Sequence, residues 1–437
     1  MKSPVIVLLL MLAMPASAAQ NLLESYELAL QSSPQLMAQA ANQRATAELA
    51  EQADALFLPE IDLSADTSKV RTETSSVRFA GETDSVDQGY TLSLVQPLYR
   101  RESFVEDRQA DIAISGATAQ YQVAEQDLIV RVADAYFEVL GVKDDLQFAK
   151  AEREAISKQL EEAQQRFEVG LTTITDVSEA QAAFDIANAA VIAAENALAN
   201  SRELLRETTG QYPDSLSPLA KVTPLVRPEP KSIEQWSEAA LVNNPSLQVV
   251  GSEVDFAREN IALQRSGHYP TLDIVAQKNY RSQSETNISG GSQTHQELVG
   301  LQFNLPIYAG GAVNSRTREA GFRLDEVMQT EEQQRRAVMR QTREAYNSVL
   351  SGISQVQALE QAVRSNEKAL ESTQAGFEVG IRTTVDVLNA RRELFSARRD
   401  YARSRYQYIV DTLRLKQAAG IVTVDDLQQI NAWLAAN

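Results

Sequence analysis

Two periodicities alternate along this chain, and each pattern is written twice. From Leu22 to Leu58 the sequence is rich in Ala, Glu and Gln, with apolar residues three and four apart, which predicts a helix ended by Pro59. The period then drops to two. In Ile61-Asp62-Leu63-Ser64-Ala65-Asp66-Thr67 the odd positions are apolar or neutral and the even ones polar. After a polar stretch, Tyr90-Thr91-Leu92-Ser93-Leu94 alternates again and stops at Pro97. Arg101 to Val169 holds no proline and only two glycines, which predicts one helix of about 100 Å. Gly170 interrupts it, and another helix follows from Thr172 to Thr209.

The second writing follows the same order. Leu30 and Pro34 recur as Leu241 and Pro245, and Pro59 and Asp62 as Pro270 and Asp273. Gln96-Pro97-Leu98-Tyr99 is echoed by Leu305-Pro306-Ile307-Tyr308. Phe167-Glu168-Val169-Gly170 returns identically as Phe377-Glu378-Val379-Gly380. Asp176-Val177 returns as Asp386-Val387, and Gly210 as Gly420. This order predicts a tandem duplication, with a first repeat over 19–210 and a second over 231–420. Helices are expected at Ile233–His268, Asn314–Val379 and Thr383–Ala419, and strands around Leu272–Gln277 and Val299–Leu305. Between the copies lies a linker, 211–230, whose five prolines place it on a surface. Residues 421–437 form a C-terminal tail. In each copy two shorter helices match the long one in summed length, so antiparallel coiled-coil pairing is expected.

Strands of about ten residues with dyad alternation are the signature of a membrane barrel, although an ordinary half-exposed hairpin alternates in the same way. Four strands per chain cannot close a barrel, and an open edge does not survive in lipid. If these strands lie in a membrane, several chains must pool them: two would give eight and three would give twelve.

Composition removes most chemistry. The formal charge of −18 argues against nucleic acid. The absence of cysteine excludes disulfides, thiolate zinc sites and an acylated cysteine, and two histidines, His268 and His295, make no metal centre. No catalytic or cofactor-binding constellation is visible, so an enzyme is not expected. Lys2, the apolar run Val5–Met14 and Ala16-Ser17-Ala18 form a secretory signal peptide over 1–18, and no later stretch approaches the length of a spanning helix.

The two glycine turns draw attention. Thr173 and Asp176 have the spacing of a capping box, and Thr383 and Asp386 repeat it. Capping alone would explain both aspartates. Gly170 and Gly380 allow a tight helix reversal. Pro97 and Pro306, with Gly310-Gly311, read as strand-to-helix junctions.

These segments closely resemble the TolC family of outer membrane factors, which serve type I secretion and multidrug efflux. The most specific are Leu305-Pro306-Ile307-Tyr308-Ala309-Gly310-Gly311, His268-Tyr269-Pro270-Thr271-Leu272-Asp273 and the two Phe-Glu-Val-Gly turns followed by Asp-Val. The resemblance implies a mixed α and β membrane protein: a homotrimer whose twelve-stranded outer-membrane barrel continues into a periplasmic α-helical coiled-coil barrel in a Gram-negative bacterium. It implies a passive duct for secreted proteins or small toxic compounds. The partners it implies are a periplasmic adaptor and an inner-membrane transporter, ABC or proton-driven, with no cofactor. By position, Thr175, Asp176, Arg382 and Asp386 match the family's entrance constriction, where three chains would bring six carboxylates together. Phe377 departs, since the family often has tyrosine there, and Asn389 stands where a second aspartate is common. The turns Val169-Gly170-Leu171-Thr172 and Val379-Gly380-Ile381-Arg382-Thr383 resemble the tips that meet the adaptor. The rival reading is a periplasmic coiled-coil structural or adaptor protein without a pore.

Overall fold

The computed structural model describes residues 19–75, 80–213, 215–220, 223–285 and 290–435. The signal peptide expected over 1–18 lies outside them. Each copy is built helix, helix, strand, strand, helix, helix. The first contains α1 (Leu22–Ser32), α2 (Pro34–Ala55), β1 (Glu60–Ser75), β2 (Ala80–Arg100), α3 (Arg101–Glu168) and α4 (Ile174–Thr209). The second contains α5 (Ile233–Asn243), α6 (Pro245–Ser266), β3 (Thr271–Gln283), β4 (Ser292–Asn304), α7 (Ala312–Glu378) and α8 (Thr384–Ala418), followed by α9 (Val424–Asn431).

The helices expected at Leu22–Leu58 and Ile233–His268 are each two helices. The breaks fall at Ser33 (φ −68°, ψ 112°) and Asn244 (φ −68°, ψ 117°), each directly before a proline. Proline crowds the preceding residue out of the helical region, so that residue turns extended while its own N–H still closes the last turn. Ser33 donates to Ala29 O at 2.8 Å and Asn244 to Ala240 O at 3.0 Å.

Contacts divide the chain into two units. One comprises Ala40–Tyr121 and Ser246–Gln334 and holds a single antiparallel sheet in the order β1-β2-β3-β4. Ile61, Leu94, Ala276 and Val299 stand in one row across it, and Ala65, Tyr90, Tyr280 and His295 in another. That face also carries Leu63, Leu92, Ile274, Leu301 and Phe303. The opposite face carries Asp62, Ser64, Asp66, Ser93, Gln277, Asn279 and Gln302. Tyr280 packs between Tyr90 and His295, with centroids 5.4 and 4.8 Å away. Such an aromatic row bordering an apolar band is what a membrane–water boundary favours. The strands run longer than ten residues, and β2 does not stop at Pro97. It continues to Arg100 through a register shift between Pro97 and Tyr99, where the ladder tolerates a residue without an N–H. In this unit α3 meets α6 through Arg108 and Glu259 (2.7 Å), and Gly116 lies against Ser252.

The other unit gathers the chain up to Gln39, Gln122–Pro245 and Arg335 onward. Here α3 runs antiparallel to α8, as successive ion pairs show: Asp134–Arg414 (3.0 Å), Asp145–Arg403 and Glu152–Arg399 (3.5 Å). Tyr136, Phe137, Leu140, Tyr408, Ile409 and Leu413 are fully or almost fully buried. Burying each such side chain contributes roughly 1.5–3 kcal/mol. Further along, Ile156 of α3, Ala183 and Ala187 of α4 and Leu388 of α8 form a second cluster. Against expectation, α4 contains a window long and apolar enough to cross a membrane, with mean hydropathy 1.2. The helix is rich in alanine, and Ala180, Ala183, Ala187 and Val191 are buried, but only 22% of that window is buried and Ile186 and Ile192 are exposed.

The linker and tail are more tightly held than their composition suggests. Leu216 and Ser217 are buried, Leu216 bridges to Gln20, and the Tyr136 hydroxyl donates to Ser217 O at 2.9 Å. Beyond 420 the chain forms α9, whose Leu427 and Ile430 are buried, and Leu434 bridges to Leu219 in the linker. Proline-rich composition predicted no regular structure there, but backbone groups still had to find partners.

Candidate functional site

The two glycine turns close α3 and α7 in the same way. Gly170 (φ 76°) and Gly380 (φ 77°) take the left-handed conformation that reverses a helix cheaply. Leu171 N–H reaches back to Arg166 O (2.8 Å), and Ile381 N–H to Gly376 O (2.9 Å), satisfying carbonyls that the helix end leaves open. Val169, Leu171, Val379 and Ile381 are left exposed around the turns.

The next helices start on matching capping boxes. Asp176 N–H donates to the Thr173 hydroxyl (3.3 Å), while the Asp176 carboxylate accepts from Thr173 N–H (3.0 Å) and its hydroxyl (2.8 Å). Asp386 repeats this with Thr383 at 3.2, 2.9 and 3.0 Å. The copies differ one residue earlier. Thr172 adds a third donor to Asp176 at 2.6 Å, whereas Arg382 stands at the corresponding place in the second turn. The Thr172 hydroxyl, followed by Thr173, holds the Asp176 carboxyl below the usual aspartate range. Thr383 lowers Asp386 through its backbone N–H and then its hydroxyl, with a smaller contribution from the Arg382 charge. Both carboxylates therefore cap helices and remain anionic.

Arg166, in the last turn of α3, was not singled out from the sequence, yet it joins the two turns. Its guanidinium lies over the Phe377 ring, 5.0 Å from the centroid, and its charge also favours ionised Asp176. A basic residue in a helix's last turn was the available signal, but that position ordinarily serves the helix dipole. Gly376 was missed too: a Cβ there would come within 2.8 Å of Arg382 Cγ, so the bare backbone seats the arginine stem. Thr175 and Asn389 are exposed. Among the described residues no hydrogen bond joins Thr175 or Asp176 to Arg382 within the chain.

Of the four residues expected at strand-to-helix junctions, Pro97 falls elsewhere. Pro97 lies inside β2, and the first strand-to-helix joint is Arg100/Arg101. Pro306 lies just past β4, and Gly310 (φ 62°) and Gly311 (φ 82°) directly precede α7. Among the described residues no cluster of three or more His, Cys, Asp or Glu is placed to hold a metal.

The family model for outer membrane efflux proteins matches residues 25–211 and again 236–421, once per copy. Outer membrane protein TolC of Vibrio cholerae is 39% identical over 418 residues, covering 95% of this chain and 94% of that one. The proteases secretion protein PrtF of Dickeya chrysanthemi is 30% identical over 441 residues, covering 99% and 95%. Among solved structures, the CmeC outer membrane channel of Campylobacter jejuni superposes with a TM-score of 0.78 over 95% of this chain and 90% of that one. At 16% identity it shares the fold.

Proposed function

Because this chain belongs to the outer membrane efflux protein family, we propose that it is the exit duct of a three-part export machine, and that it works as a homotrimer. It is an outer membrane channel of a Gram-negative bacterium, serving secretion and efflux. The family is one of channels and not of enzymes. The pore-free coiled-coil rival has no place for the four-stranded sheet, and the fold of the CmeC channel is shared over 95% of the chain.

The observation that carries the trimer is the sheet itself. It exposes one apolar face, and within the chain both β1 and β4 are edges. Lipid tolerates neither edge, so copies must join edge to edge. Three copies supply twelve strands, wide enough for a lumen, whereas eight strands fill their interior with side chains. The exposed apolar turns Val169-Gly170-Leu171-Thr172 and Val379-Gly380-Ile381 with Thr383 suit a periplasmic adaptor, which would couple the duct to an inner-membrane transporter. Thr175, Asp176, Phe377, Arg382 and Asp386 form the entrance constriction, where the aspartates favour cations. PrtF is named for protease secretion and the family for efflux, and the cargo we propose is secreted proteins or small toxic compounds. Light scattering of protein extracted from the outer membrane tests the assembly. Three chains per particle are expected; a monomer soluble without detergent would return the reading to the coiled-coil rival.

A further inference from the structure

We infer that β4 of one copy pairs with β1 of the next in the register that β2 and β3 already use inside the chain, and that this carries β4 through Pro306 to Ala309. The inference rests on the trimer proposed above and adds which residues meet.

The two hairpins are register-identical. Glu60 opposes Val95 in the first, and the equivalent Thr271 opposes Asn304 in the second. Since β4 is the copy of β2 and β1 the copy of β3, the β2–β3 joint can be carried over residue by residue. Val95 opposite Val275 becomes Asn304 opposite Ser64, and Gly89 opposite Arg281 becomes Leu298 opposite Val70. Leu94 opposite Ala276 becomes Phe303 opposite Ala65, and Gln88 opposite Ser282 becomes Glu297 opposite Arg71.

The chemistry of both edges fits this register. Val70 is the one large apolar residue on the polar face of β1 between Glu60 and Thr72, and Leu298 is the one on that face of β4; they meet. On the other face Lys278 already pairs with Glu297 (2.7 Å) and Arg71 with Asp84 (2.9 Å). The joint links them into a row of alternating sign, Lys278, Glu297, Arg71, Asp84, across four strands. Slipping by two residues sets Val70 against Gly300 or Gln296, and in one direction Glu297 against Glu73. Ile61 aligns with Leu94, Ala276 and Val299, and Val299 then aligns with Lys69 of the next copy, so closure staggers the strands as a barrel requires.

The repeated Pro-apolar-Tyr motif shows what the neighbour does. Leu98 and Tyr99, beside β3, are 49% and 37% exposed, whereas their counterparts Ile307 and Tyr308 are 92% and 86% exposed. A neighbouring β1 places Tyr308 opposite Ile61 and Ala309 opposite Glu60, as Tyr99 and Arg100 lie opposite Leu272 and Thr271.

The chain has no cysteine, so paired cysteines can be introduced without background. Two on-register variants, Val70→Cys/Leu298→Cys and Ala65→Cys/Phe303→Cys, sample both faces, because directly opposed pairs alternate between narrow and wide spacing. Two offset variants, Val70→Cys/Gln296→Cys and Ala65→Cys/Leu301→Cys, place the thiols diagonally, beyond disulfide reach. All are oxidised in outer membranes, run on non-reducing gels and weighed in detergent. A ladder reaching three chains, at least roughly tenfold stronger for an on-register variant than for its offset partner, is expected. A trimer that links better when offset, or links with none of the four, would overturn the register alone. A monomeric mass would instead overturn the trimer on which it rests.

Discussion

The guanidinium of Arg166 lies 5.0 Å from the centroid of the Phe377 ring, tying the last turn of α3 to the last turn of α7. A cation–π contact at such a site contributes about 0.5–1 kcal/mol. If the entrance opens by parting these helices, Arg166→Gln should raise open time up to roughly fivefold. Phe377→Tyr, which keeps the ring, should leave it near the starting value. Single-channel recording checks both, and equal opening in Arg166→Gln and the unmodified protein would remove the contact from the gate.

Asp176 and Asp386 are held below the ordinary aspartate range by the threonines they cap. A depressed carboxyl contributes stability that is present above its unfolded pKa, about 3.9, and lost as pH falls through the lower folded value. At the entrance proposed for them, these carboxylates therefore stay charged on acidification. Cation selectivity should stay constant from pH 7 to about pH 4 and weaken only below that. A decline centred near pH 6 would assign selectivity to other groups. Selectivity should fall in the Asp176→Asn/Asp386→Asn variant.

The glycines that end α7 and α8 differ in what surrounds them. Gly380 faces open space, so Gly380→Ala meets only the left-handed backbone cost, about 1–2 kcal/mol. At Gly420 (φ 74°) a Cβ would fall 2.4 Å from Asn243 O and 2.5 Å from Asn244 Cα. Gly420→Ala should therefore abolish folding or lower the unfolding temperature far more than Gly380→Ala. Circular dichroism melts of the two variants compare them directly.

Tyr136 is fully buried, and its hydroxyl donates to the linker at Ser217 O. Burial pushes its pKa upward, so it remains a donor at all physiological pH. Tyr136→Phe strands a buried acceptor and should cost about 1–3 kcal/mol. Tyr212→Phe, which removes an exposed hydroxyl from Glu203, should cost close to nothing. Denaturant titration distinguishes them.

Much of this molecule was legible because its signals are periodic. The long helices α3 and α7 end within two residues of the sequence reading, because Gly170 and Gly380 mark where they stop, and the capping boxes mark where α4 and α8 start. What periodicity could not show was local conflict. Apolar spacing runs unbroken past Ser33 and Asn244, while Pro34 and Pro245 end the helices there. Pro97 looked like a strand end, but a bulge absorbs it. The capping roles of Asp176 and Asp386 followed from spacing alone. Arg166 over Phe377 did not, because the two residues are far apart in sequence and meet only when two helix ends come together.

The proposed duct requires that several copies of this chain close a conducting barrel. Planar bilayer recording of the detergent-extracted protein across a salt gradient, with Arg166→Gln beside the unmodified chain, tests it most directly. Discrete steps with a reversal potential on the cation side are expected, more often open in the variant. Protein inserted in the bilayer that gives no steps in either form would contradict the account.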